Sequence, residues 1–231
     1  MGEYYKNKLL LRPCVFSDNT QIIKLVAYEY KELRVAYPFS IVGVVKTRDN
    51  KFLLCHRKHS FLFSEIVLSR DKQRKRKLFQ QHSKYLSSRE RTILSSKLSL
   101  PNRYINNHTD ITFPGGKIKE RESIVNCLLR EVKEETNIES SHLAICENCF
   151  AHGIIYDRLI NKDFKVIILY ADVKLNSEEV MNNFIPNKEV SNLSFTDTDD
   201  NSLYTDIINY IVSAVGAVRK NKGYFFFSDK I

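Results

Sequence analysis

The pattern of apolar and polar residues along this chain predicts both strands and helices. β-Branched and aromatic residues crowd into short runs at 39–45 and 52–55, and the polar segment Thr47-Arg48-Asp49-Asn50 separates them, which is typical of a hairpin. Runs of the same kind predict further strands at 111–113, 143–155 and 164–173, and another around Leu193 and Phe195.

Other segments show the spacing of about 3.6 residues that predicts a helix with one apolar face. An N-terminal helix is predicted over 19–34, with Thr20 as a candidate N-cap. A helix is predicted from 64 to about 85, and the capping-box sequence Ser87-Ser88-Arg89-Glu90 begins another that ends near 98. A closing helix is predicted near the C-terminus, at 206–218. This mixture predicts an α/β fold, an α/β/α sandwich in which helices cover both faces of a mixed sheet.

The length and composition fit one folded domain. A chain of 231 residues with 43% apolar residues can bury one core. We predict an N-terminal helical segment at 1–37 packed on a domain at 38–231, which carries a basic helical insertion at 64–110. Apolar runs stay shorter than the roughly 18 residues that cross a bilayer, and the first residues lack a signal-peptide pattern. We therefore expect a cytoplasmic protein without a transmembrane segment.

The cysteines predict reduced thiols rather than a disulfide framework. There are five of them, an odd number, and they are scattered along the chain. Cys146-x-x-Cys149 followed by His152 is compatible with zinc, but a second pair that would complete four ligands is missing. The alternative is that these are small side chains in a half-buried strand.

Positive charge is concentrated in the insertion. Eleven basic and two acidic residues lie from Leu68 to Arg103, so this stretch accounts for the whole formal net charge of +9. A basic block of this kind favours a polyanion longer than one nucleotide as partner. The alternatives are a solubilising helix face and a nuclear-import tract. The residues expected to contact RNA are Arg70, Arg74, Lys75, Arg76 and Lys77.

A fixed spacing of charged residues indicates the chemistry. In a helix, Glu131, Glu134 and Glu135 share one face because they lie three or four residues apart. Carboxylates crowded near a helix C-terminus, where the helix dipole is also negative, favour a compensating divalent cation. The alternative is an acidic face that only meets solvent. The opposite face of this helix is an apolar stripe formed by Ile124, Val125, Leu128, Leu129 and Val132. The full pattern is Gly116, five residues, Glu122, seven residues, Arg130-Glu131, Val132, one residue, Glu134-Glu135, one residue, Asn137-Ile138.

The segment 116–138 is identified by this spacing as a Nudix box. Its final glycine is replaced by Asn137, and Asn is the next most tolerant residue after Gly where a helix ends in a left-handed residue. The resemblance implies hydrolysis of a pyrophosphate bridge with Mg²⁺ or Mn²⁺, which neutralises phosphate oxygens and lowers the pKa of bound water. We expect Glu122 and Arg130 to tie the loop before the helix to the helix itself.

The metal ligands follow from the same resemblance. Glu131 and Glu135 are the first candidates, Glu134 is a third or water-bridged contact, and the Gly116 carbonyl matches a backbone ligand of the family. A carboxylate must also take the proton from the attacking water. We favour Glu131 for this role and leave open another glutamate inside or outside the box.

A closer resemblance extends over about 21–218. It is to the poxvirus Nudix mRNA-decapping enzymes, and it implies cleavage of the 5′ cap of messenger RNA to 7-methyl-GDP and 5′-monophosphate RNA. In the infected host cell this reaction would promote mRNA turnover and shut off host protein synthesis. The implied partner is capped mRNA rather than DNA, and a monomer is expected. The resemblance is carried by residues 57–65, 92–96, 113–116, 152–157 and 160–162.

A cap-binding pocket can be assigned on this basis. A methylated guanine is flat and cationic, so it favours aromatic faces and a carboxylate at the base edge. Phe61 and Phe164 are the candidate faces, unless they are ordinary core residues. Asp157 is the candidate carboxylate or, alternatively, an additional metal ligand. Arg57 is expected to reach the cap phosphates or the base edge.

Two rival functions are compatible with the sequence. A Nudix hydrolase for small nucleotides or inositol pyrophosphates would also have a basic site. A non-catalytic cap- or RNA-binding adaptor is the second rival, but a binder has no need for the repelling carboxylates of the Arg130-Glu131 and Glu134-Glu135 pairs.

Overall fold

The structure is a computed structural model that describes residues 8–29 and 39–221. Within these ranges the strands lie at Lys8–Leu9 (β1), Cys14–Ser17 (β2), Gln21–Glu29 (β3), Ser40–Lys46 (β4), Phe52–Arg57 (β5), Ile111–Thr112 (β6), Gly115–Lys117 (β7), Leu143–Ile145 (β8), Cys149–Asp157 (β9), Lys162–Val173 (β10) and Val190–Thr196 (β11). The α-helices lie at Phe61–Leu68 (α1), Lys72–His82 (α2), Ser88–Leu98 (α3), Ile124–Thr136 (α4), Ser177–Asn183 (α5) and Leu203–Asn221 (α6).

One mixed sheet joins these strands. Its main path runs β1-β3-β9-β10-β4-β5-β11, and β2, β6, β7 and β8 pair with β3, β5, β4 and β10 respectively. The pairing of β10 with β4 is parallel, whereas the other pairings of described strands are antiparallel. The hairpin of β4 and β5 and the strands predicted at 111–113, 164–173 and around Leu193 are confirmed, whereas the strand predicted at 143–155 is two strands, β8 and β9, which pair with different parts of β10. None of the helices in the described ranges has the length and apolar character needed to cross a membrane.

Alternate residues of β10 support a helical layer on each side of the sheet. Val166 and Ile168 belong to the core that contains the apolar face of α6, whereas Ile167 and Leu169 belong to the core that contains the apolar stripe of α4. Successive side chains of a strand point to opposite faces, so one strand serves both cores. The predicted α/β/α sandwich is confirmed.

The inserted helices α1, α2 and α3 have a smaller core of their own. Leu62, Phe79 and Leu94 are buried there, one from each helix, together with Ile160 from the turn between β9 and β10. Phe164 of β10 packs against the same cluster. The insertion therefore packs against the end of the β9–β10 hairpin where its turn lies.

Two helix predictions need correction. The helix predicted over 19–34 is wrong for its described part, because Gln21–Glu29 is strand β3, hydrogen-bonded between β2 and β9; residues 30–34 lie outside the described ranges. Its buried residues Ile23, Leu25 and Ala27 follow a period of two. The helix predicted from 64 to 85 is two helices, since the Asp71 side chain accepts hydrogen bonds from the first turn of α2 and starts it anew.

Candidate active site

Helix α4 carries the charged motif and has a defined cap at each end. The Ser123 side chain accepts a hydrogen bond from the Asn126 N–H at the N-terminus. Asn137 ends the helix in the left-handed conformation, with a φ of 63°. Asn tolerates this conformation where most residues are strained, so the replacement of the motif's last glycine leaves the helix end intact.

Arg130 ties the loop before α4 to the helix, as predicted. Its Nε donates to Glu122 Oε1 at 2.7 Å and its Nη2 to Glu122 Oε2 at 2.9 Å, a bidentate pair, while Nη1 donates to Glu131 Oε1 at 2.6 Å. The hydrogen bonds from Arg130 lower the pKa of Glu122 to about 2. One guanidinium therefore fixes both the loop and the first motif glutamate.

Glu131 and Glu135 are buried carboxylates that face the strand β7. Their exposed fractions are 8% and 3%. Glu135 Oε2 accepts a hydrogen bond from the Gly115 N–H at 2.8 Å. A side chain at Gly116 would meet Glu131, because an added Cβ would lie 2.4 Å from Glu131 Oε1. Glycine at this position therefore lets the loop backbone and the carboxylate approach each other.

Burial and nearby negative charges raise the pKa of both glutamates. Burial raises the pKa of Glu135 to about 7, with Glu131 and Glu189 adding to the shift and the Gly115 hydrogen bond opposing it. Burial also raises the pKa of Glu131, although Arg130 opposes the shift. A bound cation would lower the free-energy cost of ionising these two buried carboxylates.

The donor set fits a metal that is completed by substrate and water. Glu131 and Glu135 each retain one carboxylate oxygen without a hydrogen-bond partner among the described residues, and Gly116 lies against them. Elsewhere in the described ranges, as here, no three His, Cys, Asp or Glu side chains are grouped closely enough to hold an ion alone. Mg²⁺ commonly takes one or two protein carboxylates and completes its shell with waters and phosphate oxygens.

Other predicted ligands lie away from this pair or at its edge. Glu134 is 51% exposed and lies 3.5 Å from Arg130 Nη1 and 4.0 Å from Lys119 Nζ, so it belongs to the rim of the site. Cys146, Cys149 and His152 form no metal-binding group among the described residues. The structure therefore offers no support for zinc there.

Glu189 is a candidate that the sequence pattern did not reveal. Its charge acts on both Glu131 and Glu135, although it comes from the loop before β11. The Lys58 N–H donates to the Glu189 carbonyl, and the Asn187 Nδ2 donates to the Glu134 and Glu135 carbonyls at 3.0 and 3.1 Å. No spacing rule could have found Glu189, because only the folding of this loop onto the end of α4 places it there.

Three of the predicted cap-binding residues, Arg57, Phe61 and Phe164, lie together, and Arg57 is near the buried glutamates. The guanidinium carbon of Arg57 is 4.2 Å from the centroid of the Phe61 ring, and the Phe61 and Phe164 centroids are 5.8 Å apart with planes tilted by 41°. Phe61 is 41% exposed, so it is no ordinary core residue. Arg57 also lowers the pKa of Glu135 and of Asp110 by its charge, so it lies within electrostatic range of these carboxylates.

Asp157 lies on the aromatic side of the site. Its Oδ1 accepts hydrogen bonds from Leu159 and Ile160 N–H at 2.8 and 3.2 Å, in the turn that leads to Phe164. Burial raises its pKa, and the acidic neighbours that add to the shift are Asp110 and Asp18 rather than Glu131 or Glu135. Neither motif glutamate is among the groups that shift this pKa, so nothing here supports Asp157 as a third ligand beside Glu131 and Glu135.

The basic residues of the insertion fall into two groups. Arg70 and Lys77 are exposed, and Arg76 is also exposed although its Nη1 donates to the Leu98 carbonyl at 3.1 Å. Arg74 is instead bonded to Glu65 and to the Ile160 carbonyl, and Lys75 Nζ donates to the Val67 carbonyl. Arg91, another basic residue of the insertion, is fully buried and donates to the Leu86 and Asn106 carbonyls. Part of the positive charge therefore holds the insertion together.

A catalytic helix on a mixed sheet with two buried glutamates facing a glycine loop is the architecture of a Nudix hydrolase. The family model described as "NUDIX domain" matches residues 86–209, so the chain belongs to this family. Nudix hydrolases generally need divalent metal ions.

The chain is similar to viral proteins. The mRNA-decapping protein of fowlpox virus (strain NVSL) is 61% identical over 224 residues, which cover 96% of this chain and 100% of that one. The mRNA-decapping protein of variola virus is 40% identical over 206 residues, 88% of this chain and 83% of its own. Among solved structures, an Ap4A hydrolase of C. elegans is similar with a TM-score of 0.41 and 16% identity, over 80% of this chain and 99% of that one.

Proposed function

We propose that this protein is a metal-dependent hydrolase that removes the 5′ cap of messenger RNA. The reaction would cleave the pyrophosphate linkage to release 7-methyl-GDP and leave 5′-monophosphate RNA. The observation that carries the proposal is the placement of Arg57, which contacts the Phe61 ring and lies within electrostatic reach of Glu135. The Arg57 guanidinium would then lie near both parts of the cap, the methylated base on the aromatic rings and the pyrophosphate at the carboxylates.

Within this site Glu131 and Glu135 would hold Mg²⁺ or Mn²⁺, with the Gly116 carbonyl as a backbone donor. The ion supplies neutralisation of the phosphate oxygens and a more acidic bound water. Arg130 orients Glu131 by the 2.6 Å hydrogen bond to Oε1. The Gly115 N–H orients Glu135 through Oε2. Each carboxylate thus presents its other oxygen from a fixed position.

The proton of the attacking water needs a carboxylate acceptor. Glu131 remains the first candidate for the case in which its Oε2, which has no hydrogen-bond partner among the described residues, faces the water and Glu135 holds the ion. Glu189 is the second candidate, since it acts on both buried glutamates while its own side chain is 49% exposed to solvent. An E189Q variant that keeps metal affinity but loses turnover would favour Glu189.

The methylated base would bind at the aromatic pair. The Phe61 and Phe164 rings present a cation-binding surface, and Arg57 already makes a cation–π contact with one of them. Asp157 supplies a carboxylate that accepts N–H groups, which is the chemistry of a guanine edge. The exposed basic residues Arg70, Arg76 and Lys77 would bind the phosphates of the RNA body.

Further properties of the proposal follow the likeness to the viral relatives. The protein would act as a monomer in the cytoplasm of the infected cell, on RNA rather than DNA, and would promote turnover of mRNA and shut-off of host protein synthesis.

Product analysis tests the proposal. RNA labelled in the cap should yield 7-methyl-GDP when Mg²⁺ or Mn²⁺ is added, and free 7-methyl-GDP should compete better than GDP. Capped RNA left intact while small dinucleotides or inositol pyrophosphates are hydrolysed would contradict it in favour of a small-molecule hydrolase. Tight cap binding without any product would indicate an adaptor.

A further inference from the structure

We propose that Arg74 is a positioning residue of the cap-binding site rather than a contact to RNA. This inference rests on the proposed function, because it concerns the same pocket. Arg74 belongs to the most basic run of the chain, Arg74-Lys75-Arg76-Lys77, where sequence alone assigns every member to a polyanion. The structure separates Arg74 from this group.

The Arg74 guanidinium joins two parts of the site through one nitrogen. Its Nη2 donates to Glu65 Oε1 at 3.1 Å and to the Ile160 carbonyl at 3.0 Å. Glu65 lies on α1, the helix that begins with Phe61. Ile160 lies in the turn between Asp157 and Phe164, and it is 2% exposed. Arg74 therefore holds one ring-bearing element against the other.

The backbone of Ile160 transmits this restraint to the candidate base-reading carboxylate. Its N–H donates to Asp157 Oδ1 at 3.2 Å, while its carbonyl accepts from Arg74. These two groups belong to successive peptide planes that meet at the Ile160 Cα, so a shift of this residue would disturb both bonds. A positioned carboxylate must be held by its surroundings if it is to discriminate one base edge from another.

Glu65 is the junction of this restraint, and it is shared with a second cation. Lys162 Nζ lies 2.6 Å from Glu65 Oε2, and Glu65 is only 16% exposed. Burial opposes ionisation of Glu65, but the hydrogen bonds from Lys162 and Arg74 prevail and lower its pKa. Removal of Lys162 leaves the contact between Arg74 and Ile160 in place, so the two cations can be tested separately.

The test compares variants of the full chain by titration with 7-methyl-GDP and with GDP. R74M keeps the aliphatic stem and removes the donors, K162M removes only the second cation of Glu65, and K72M removes an exposed charge from the same helix. We expect R74M to weaken 7-methyl-GDP binding about tenfold, K162M to weaken it less, and K72M to leave it unchanged. Hydrogen exchange of the segment 157–164 should be faster in R74M than in K72M.

Unchanged 7-methyl-GDP binding in folded R74M, or an equal loss in K72M, would overturn the inference. If R74M does not fold, R74K replaces it, because lysine keeps the charge but its ammonium ends one bond short of Nη2, the nitrogen that serves both acceptors. Binding by R74K equal to wild type would then be the contradicting result. Failure of the proposed function has a different signature. The wild-type protein would bind 7-methyl-GDP no better than GDP, while the faster exchange in R74M would persist.

Discussion

The Glu135 carboxylate accepts a hydrogen bond from the Gly115 N–H at 2.8 Å, so the last motif glutamate is fixed to β7, the strand that precedes its own helix. Gly115 has a φ of 154°, and an added Cβ would lie 2.2 Å from the Ile41 carbonyl oxygen. The bond therefore depends on a backbone position that only glycine occupies without a clash. It aims one buried carboxylate at the site and leaves its second oxygen for a ligand.

Glu131→Gln and Glu135→Gln are each expected to lower the rate of decapping by roughly a hundredfold or more, because each removes a negative charge that stabilises the metal and the transition state. Gln retains the shape and one acceptor, so circular dichroism should stay as in the wild type. Product formation from cap-labelled RNA provides the measurement. A near-normal rate in either variant would exclude that residue as a ligand.

Glu135→Gln is also expected to stabilise the metal-free protein as pH rises. Because the pKa of Glu135 is raised to about 7 by burial, the folded state holds this proton where the unfolded state has already lost it. The carboxyl group is thus favourable to folding at low pH, and this contribution is lost as pH rises through about 7. The variant should gain on the order of 1–3 kcal/mol at pH 8 and almost nothing at pH 4. The measurement is thermal unfolding of both proteins with a chelator at the two pH values. Equal stability of the variant and the wild type at pH 8 would contradict this interpretation.

Gly116→Ala should separate activity from stability. The new Cβ would displace the Glu131 carboxylate, which is the end of a flexible side chain, so the fold should tolerate it while the misplaced ligand lowers activity by about a hundredfold. Gly216→Ala is the matched control, since nothing lies within 4 Å of its Cβ position on α6. That change should stabilise the helix by about 0.5–1 kcal/mol and leave activity unchanged. Normal decapping by Gly116→Ala would show that the close approach is unimportant.

Phe61→Ala and Phe164→Ala should raise the KM for capped RNA and weaken competition by 7-methyl-GDP more than competition by GDP. The reason is that a desolvated cation–π contact, about 2 kcal/mol, needs the positive charge of the methylated base. Inhibition constants for the two nucleotides provide the measurement. An equal loss for both would mean that the rings shape the pocket without reading the methyl group.

Charge reversal of the exposed pair Arg70 and Lys77 should weaken binding of long capped RNA and reduce the log–log salt slope by about 1.4, since each lost phosphate contact on a single strand removes about 0.7. Hydrolysis of a cap dinucleotide should barely change. Arg74 is left out of this variant because it is bonded to Glu65 and Ile160. Parallel losses on short and long substrates would contradict an RNA-binding role for these side chains.

The catalytic helix could be predicted from the sequence because its signals are local. The spacing of Glu131 and Glu135, the pairing of Glu122 with Arg130 and the left-handed end at Asn137 all lie within one segment, and each was found where the pattern indicated. Helical periodicity and capping act over three or four residues, so a linear reading captures them.

Strand β3 and Glu189 depended on partners that are distant in sequence. The apolar residues of Gln21–Glu29 fit a helix as well as a strand, and the pairing with Cys149–Asp157 decides between them. Glu189 lies within electrostatic range of the motif glutamates, and the Asn187 side chain holds its loop to the end of α4. Likewise, Arg74 and Lys77 are equivalent in the sequence, and only the packing of α2 on the turn at Ile160 makes one a structural residue and leaves the other in solvent. Sequence by itself determined the chemistry of the site, whereas its boundary was decided by tertiary contacts, because those contacts join segments that no local periodicity relates.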